Sequence, residues 1–299
     1  MKRRTYIWLA ILLIFFLLLL VVRSVIGQVP HYSQAPLILS TLALIFLFVL
    51  YLLTSRYRLW IVGPAQVLYM GLGTALYLGI SYLFNAHLKL SFGRIALRPA
   101  VCIPILFGFS FGPGVGFFTG AAGSLLADFA IGWDVFPIWS IASGLTGMIP
   151  GFMSLFQEEN VPQRYLSTFV ILMIILSAGL VFLHPIVPEP WTGEIKDFTF
   201  WAYALIMGGV TMIANSYLME QRDLDLVSIN LWGALGIIIS TLLASLGDMW
   251  LNNFSLETAL IGEYAPYTAI ELLNLVLFAP IIMAAYHAAR NRLGVRVQS

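Results

Sequence analysis

The sequence predicts an all-α membrane protein, a polytopic bundle of about ten transmembrane helices. Three observations carry this. The 299 residues are 60% hydrophobic and only 10% charged, with a mean hydropathy of +0.93, whereas a soluble domain needs far more polar surface. The apolar residues gather into blocks of about 20, the length that crosses a bilayer. No polar stretch exceeds about fifteen residues, too short for a soluble domain with its own core.

The predicted spans run in order. The first, 5–27, follows Met1-Lys2-Arg3-Arg4. Its apolar run is longer than a signal peptide's and no A-x-A site follows, so a retained helix is expected. The next are 36–54 and 61–84. Spans 96–111 and 113–131 are short and joined by Gly112-Pro113-Gly114. They form either two crossings or one re-entrant pair, so the count is open by two. The rest are 136–156, 165–184, 198–219, 227–251 and 264–288.

Orientation follows from Lys and Arg. With the N-terminus inside, the cytoplasmic segments hold Lys2, Arg3, Arg4, Arg56, Arg58, Arg164, Arg222, Arg290, Arg292 and Arg296, and the external ones Arg23, Lys89, Arg94, Arg98 and Lys196. Both termini are therefore expected in the cytoplasm. The external excess lies in the 85–98 loop, which has either a task there or an anchoring role. Trp133, Trp139, Trp191, Trp201 and Trp250 fall on the outer side, and most are expected to be interfacial anchors.

Small residues let helix backbones approach in lipid. Gly63, Val67, Gly71, Ala75 and Gly79 make one stripe on the third span. Gly112, Gly116, Gly120, Ser124 and Asp128 make another on the fifth, and Ser140, Gly144, Gly147 and Gly151 mark the sixth. Pro113 suits the first turn of a helix. Internal packing is the expectation for the fifth and sixth spans, whereas the third is also suited to a partner protein.

Ionisable groups at membrane depth mark candidate sites. Tyr264, Tyr267, Glu271 and Asn274 follow 3-4-3 spacing on the last span and are expected on one face. Glu271 lies roughly 10 Å deep at 1.5 Å per residue. This face lines a ligand pocket or a structural hydrogen-bond network. Arg98, Asp128 and Asp248 fall at outer helix ends. Arg98 either binds an anionic group bidentately or pairs with Asp128, the expected arrangement. Asn215 and Asn230 are expected to bond between helices near the inner interface.

Lysines occur only at 2, 89 and 196, none in a phosphate-binding glycine pattern, so the chain is not expected to hydrolyse ATP. His31, His87, His184 and His287 lack metal-ligand spacing, Cys102 alone excludes an internal disulfide, and no G-x-S-x-G occurs. The net charge of +1, with no basic run, argues against a nucleic-acid partner. Neither a cofactor, a metal nor enzymatic activity is expected.

Several stretches together resemble the substrate-binding S components of energy-coupling-factor (ECF) transporters. They are Met70-Gly71-Leu72-Gly73-Thr74-Ala75-Leu76, FGPGVGFFTGAAGSLLADF from Phe111 to Phe129, FPIWSIASGLTGMIPGF from Phe136 to Phe152, and the closing helix from Tyr264 to Tyr286. The resemblance covers roughly half the chain. It implies a six-helix bundle that binds a vitamin-like micronutrient from outside and topples in the membrane. A separate transmembrane coupling protein and two ATPases drive that movement in trans. It further implies that Gly71 and Ala75 touch the coupling protein, that the 85–98 loop is a lid, and that Glu271 and Asn274 face the pocket. Tyr267, Arg98, Asp128 and Trp133 join them as substrate-binding candidates. Residues 1–60 would be an added helix pair, and 61–299 the S-component-like bundle with a second added pair within about 160–260, best assigned to the seventh and eighth spans.

Two other classes stay open. A membrane sensor or scaffold is disfavoured because the eleven residues after Ala288 leave no expected output domain. A polytopic enzyme would rest on Glu271 and Asp128.

Overall fold

The computed structural model describes residues 10, 12–14, 17, 35–54, 60, 62–88, 91–92, 95–132, 136–153, 155, 163–219 and 224–293. The first expected span therefore lies mostly outside the described residues, as do Trp133, Lys89 and Arg94.

The described residues hold nine α-helices of ten residues or more. They are α1 (Ala35–Thr54), α2 (Pro64–Ser81), α3 (Cys102–Phe111), α4 (Pro113–Ile131), α5 (Pro137–Met148), α6 (Gln163–Leu183), α7 (Thr199–Met219), α8 (Leu224–Leu251) and α9 (Ala265–Leu293). Among the described residues, five helical segments are long and apolar enough to cross a membrane: Pro64–Leu88, Pro113–Ile131, Arg164–Leu183, Leu224–Leu251 and Thr258–Ala289. The protein is thus a polytopic helical membrane protein. Pro99–Phe111 is apolar but shorter.

Four boundaries differ from the sequence expectation. The segment after α2 is not loop from residue 85, because Tyr82–Leu88 continues as a π-helix. Residue 96, expected at the start of a helix, lies in a strand. Ser91–Phe92 (β1) and Ile95–Ala96 (β2) pair as a hairpin, and Pro99 then opens a 3₁₀ turn at the first position, where its missing N–H costs nothing. Helix α5 ends at Met148, where Pro150–Phe152 tightens into a 3₁₀ turn. The last span starts earlier than expected, with a π-helix over Thr258–Tyr264 running into α9.

One end of the bundle carries both small hairpins, β1–β2 and Ile186–Pro188 (β3) with Ile195–Asp197 (β4). The π-helix before α9 packs beside β3 at this end.

Packing divides around α3. Its Ile103 and Phe107 belong to an apolar cluster with α1, α2, α4 and α5. Its Cys102, Ile105 and Leu106 belong to a second cluster with α6, α7, α8 and α9. Helix α8 packs on α5, and α9 on α3, whereas α6 and α7 pack chiefly on each other, α8 and α9.

The glycine stripes have two different fates. A Cβ on Gly120 would lie 2.6 Å from the Ser143 carbonyl carbon, and one on Gly147 would lie 2.7 Å from that of Gly116. Backbone atoms cannot move aside, so the fifth- and sixth-span stripes serve internal packing. On α2, Gly71, Ala75 and Gly79 are exposed, and a Cβ at Gly71 or Gly79 would meet nothing within 4 Å. Val67, Leu68, Leu72 and Leu76 beside them are exposed too.

Replacing Gly147 by Leu forces a side chain into backbone. It is expected to cost at least about 3 kcal/mol and to remove the monodisperse peak in detergent chromatography. Gly71→Leu is expected to keep that peak and the melting temperature of the parent.

Candidate functional site

Polar side chains from four segments meet at the hairpin end. Arg98 stands just before Pro99, at the entry to the turn that leads into α3. Asp128 lies in the last turn of α4, which Gly132 closes in the left-handed conformation at φ 78°. A carboxylate at a helix C-terminus opposes the helix dipole and needs a cation nearby. Arg98 supplies one: it lies within electrostatic range of Asp128, Tyr267, Tyr77 and Glu271. Tyr77 comes from α2, where its ring packs over Gly123 of α4. A side chain on Gly123 would meet that ring at 2.7 Å.

On α9, Glu271 accepts a hydrogen bond from Asn274 Nδ2 at 3.2 Å. This (i, i+3) pair fixes both side chains on one face. The Asn274 backbone carbonyl accepts from Cys102 Sγ at 3.5 Å, which ties α9 to α3. Arg98, Asp128, Tyr267, Glu271 and Asn274 are therefore brought together. Trp133 lies outside the described residues.

Beside this group stands a second, whose members lie on separate helices and share no spacing in the sequence. Asp248, in the last turn of α8, and Glu263, in the π-helix, are both fully buried. Glu263 sits in side-chain hydrogen-bonding reach of Asp248 and Ser245, and two adjacent buried carboxyls are satisfied by sharing a proton. Trp139, from the first turn of α5, donates from Nε1 to Asp248 Oδ2 at 2.7 Å. Its ring centroid lies 4.5 Å from that of Tyr267. Tyr267 is within electrostatic range of Arg98, Glu263, Asp248 and Glu271, so it stands between the two groups.

Two expectations need correction, and Trp139, one of the outer-side tryptophans, has a further role as a half-buried donor to a carboxylate. Trp250, by contrast, is 79% exposed, as an anchor would be. Tyr264 does not share the face of Tyr267 and Glu271, because its hydroxyl bonds Ser177 Oγ of α6 at 2.8 Å. The π-helix that ends at Tyr264 widens the turn and shifts the phase, which puts Glu263 in its place. The signal for Glu263 was in the sequence, since residues 263, 267 and 271 repeat at four-residue spacing. Finally, Asn230 is fully buried, yet neither amide atom finds the expected interhelical partner among the described residues.

Among the described residues no group of three or more His, Cys, Asp or Glu side chains could hold a metal ion. The arrangement is suited to holding a small polar molecule. A guanidinium, carboxyls, amide and phenol converge from several helices, and aromatic rings form the wall.

A family model described as "ECF-type riboflavin transporter, S component" matches residues 63–219, from the start of α2 to the end of α7. The chain is 32% identical over 158 residues to a UPF0397 protein of Vibrio atlanticus, covering 49% of this chain and 82% of that protein. It is 31% identical over 118 residues to a UPF0397 protein of Aliivibrio fischeri, covering 39% of this chain and 63% of that one. A UPF0397 protein of Streptococcus thermophilus is 26% identical over 145 residues, 48% of this chain and 78% of the relative. No solved structure matches the chain.

Converting Trp139 to Phe leaves Asp248 Oδ2 without its donor. This is expected to lower stability by about 1–3 kcal/mol. Most of that loss should vanish when the change is made in an Asp248→Asn background, and thermal melts of the four proteins of the double-mutant cycle check it.

Proposed function

Because the chain belongs to the family of ECF-type riboflavin transporter S components, a family of transporter subunits rather than enzymes, we propose that it captures a small vitamin-like micronutrient for an importer. Separate ATPase and coupling subunits would energise it in trans. The observation that carries this reading is the convergence of Arg98, Asp128, Tyr267, Glu271 and Asn274 at one end of an apolar bundle. Charged groups inside a membrane bundle are costly and tend to face a substrate path.

In this reading Arg98 and the Asn274–Glu271 pair orient the substrate, and Tyr267 supplies an aromatic wall. The hairpin end faces outward with both termini cytoplasmic, as the Lys and Arg distribution favours. The 85–98 segment covers the site. Helices α2–α5, α8 and α9 form the six-helix bundle, residues 1–60 an added N-terminal pair, and α6 and α7 the inserted pair. What supports that division is the packing of α8 on α5 and of α9 on α3, with α6 and α7 on the far side of α8 and α9. The family match ends before α8, so the division rests on packing alone.

The exposed Gly71–Ala75 stripe on α2 is proposed as the surface for the coupling protein. Small residues allow close backbone approach, and this stripe touches no other part of the described chain at Gly71.

Riboflavin, which the family description names, is the first ligand to try. Whichever small molecule co-purifies, Glu271→Gln and Asn274→Ala are expected to weaken its binding by roughly tenfold or more, about 1.4 kcal/mol, in calorimetry. Parent-like affinity in both variants removes the pocket assignment. Gly71→Leu together with Ala75→Leu is expected to leave that affinity intact and to abolish ATP-dependent uptake in cells carrying the coupling and ATPase subunits. Uptake at the parent rate would rule out the stripe as the contact.

A further inference from the structure

The β3–β4 hairpin reaches over the polar end of the bundle, yet it hangs from α6 and α7 rather than from the helices that carry the polar groups. Leu183 ends α6 and Thr199 opens α7. Between them the strands pair in the register Ile186↔Asp197, Val187↔Lys196 and Pro188↔Ile195. The base is fastened. Val187 is buried in the apolar cluster that α6–α9 share, and Phe198 N donates to the Pro185 carbonyl at 2.8 Å. The tip is braced within itself. Glu189 N donates to the Glu194 carbonyl at 2.7 Å, and Gly193 N to the Glu189 carbonyl at 2.9 Å. Gly193 takes φ 70°, which a residue without Cβ adopts freely. Lys196 Nζ lies 2.9 Å from Glu189 Oε2 and 3.4 Å from Glu194 Oε2. The tip is therefore a preformed unit on a fixed base.

That tip lands on the rim of the site. The Trp191 ring centroid lies 5.7 Å from that of Phe136, the N-cap residue of α5. It lies 5.6 Å from that of Phe254, in the connection between α8 and the π-helix. Pro190 rests on the π-helix itself, where a Cβ on Gly262 would stand 2.9 Å from the Pro190 Cδ. Each support adjoins a polar residue. Phe136 precedes Trp139 by one turn, and Trp139 donates to Asp248. Gly262 precedes Glu263, and Phe254 follows the end of α8 that carries Asp248. The tip thus spans from α5 to the α8–α9 side. Ring contacts hold it there, and Trp191 keeps 43% of its surface open. Such contacts are individually weak. A tip gripped by them can lift while the buried base stays in place.

We propose that the β3–β4 hairpin is a hinged cover of the candidate site, latched by Trp191 between Phe136 and Phe254, and that α6 and α7 are the arms that carry it. This rests on the site assignment above and adds how entry to that site is controlled. The cover acts beside the 85–98 segment and closes the Asp248–Glu263 side. Lifting the tip frees the start of α5 and the π-helix from their shared contact, and it opens the polar groups to the outside.

The test needs no substrate. It uses the full chain in lipid nanodiscs, with Cys102→Ser removing the native thiol. Ser245→Cys places a reporter beside Glu263, and Ser228→Cys places a second, also buried, near the opposite end of α8. The probe is a water-soluble methanethiosulfonate with a trimethylammonium head. Trp191→Ala is expected to speed modification at position 245 by roughly tenfold or more and to leave position 228 unchanged. Trp191→Phe keeps a ring and is expected to restore most of the protection. Phe254→Ala is expected to act like Trp191→Ala, and the two together no more than either alone, because they undo one latch. Equal rates at position 245 in the parent and Trp191→Ala overturn the proposal, and the hairpin is then a static brace. A parallel rise at position 228 overturns it as well, since Trp191 then holds the whole fold. Hydrogen exchange reads the same step without a reporter thiol. Amides of 258–264 are expected to exchange faster in Trp191→Ala and those of 224–232 at the parent rate; no difference at 258–264 overturns the cover. Uptake assays separate the two readings. A gated reporter without ATP-driven uptake rejects the importer, and uptake with an ungated reporter rejects the cover alone.

Discussion

Backbone contact between α4 and α5 is the constraint on which the rest of this structure depends. Gly116, Gly120, Gly144 and Gly147 bring the two helices so close that any side chain at Gly120 or Gly147 would enter the opposing backbone. In lipid the hydrophobic effect gives no reason for helices to associate, so van der Waals contact of this kind supplies much of the adhesion. Gly108 extends the contact to α3, because a side chain there would run into the Gly147 carbonyl. Three helices are thereby locked at fixed separations. Their hairpin-side ends carry Arg98, Asp128 and Trp139, so the geometry of the polar site follows from contacts made by residues with no side chain.

The second constraint is electrostatic. An isolated charge in an apolar interior costs several kcal/mol, and this bundle buries several carboxyls at one end. Asp128 and Glu271 share the field of Arg98. Asp248 takes a bond from Trp139. Glu263 is held against Asp248 and Ser245. Buried ionisable groups concentrated at one end of a largely apolar bundle are what mark that end as the candidate site. The exposed small-residue face of α2 lies elsewhere and is chemically distinct, so the two surfaces can be altered independently.

Much of this was legible in the sequence because it depends on spacing along single helices. The turn Gly112-Pro113-Gly114, the four-residue stripes, and the triplet Tyr267, Glu271 and Asn274 each follow from helical period. Local chemistry also misled where a helix departs from that period. The π-helix ending at Tyr264 rotated Tyr264 toward Ser177 and brought Glu263 into the site. The strand at 95–96 shortened the span expected from residue 96, since hydropathy does not separate a short apolar strand from the first turn of a helix.

The sequence by itself determined the class of protein, the close-packing helices and the identity of most polar groups near the site, because apolar length, glycine spacing and intramembrane charge act within one segment. Only the tertiary structure decided that Trp139 serves Asp248, that Glu263 stands beside it, and that the stripe on α2 is exposed while those on α4 and α5 are buried. These are relations between segments far apart in the chain. A period of four glycines is the same whether its face meets a helix or open surface, and only the packed arrangement tells the two apart.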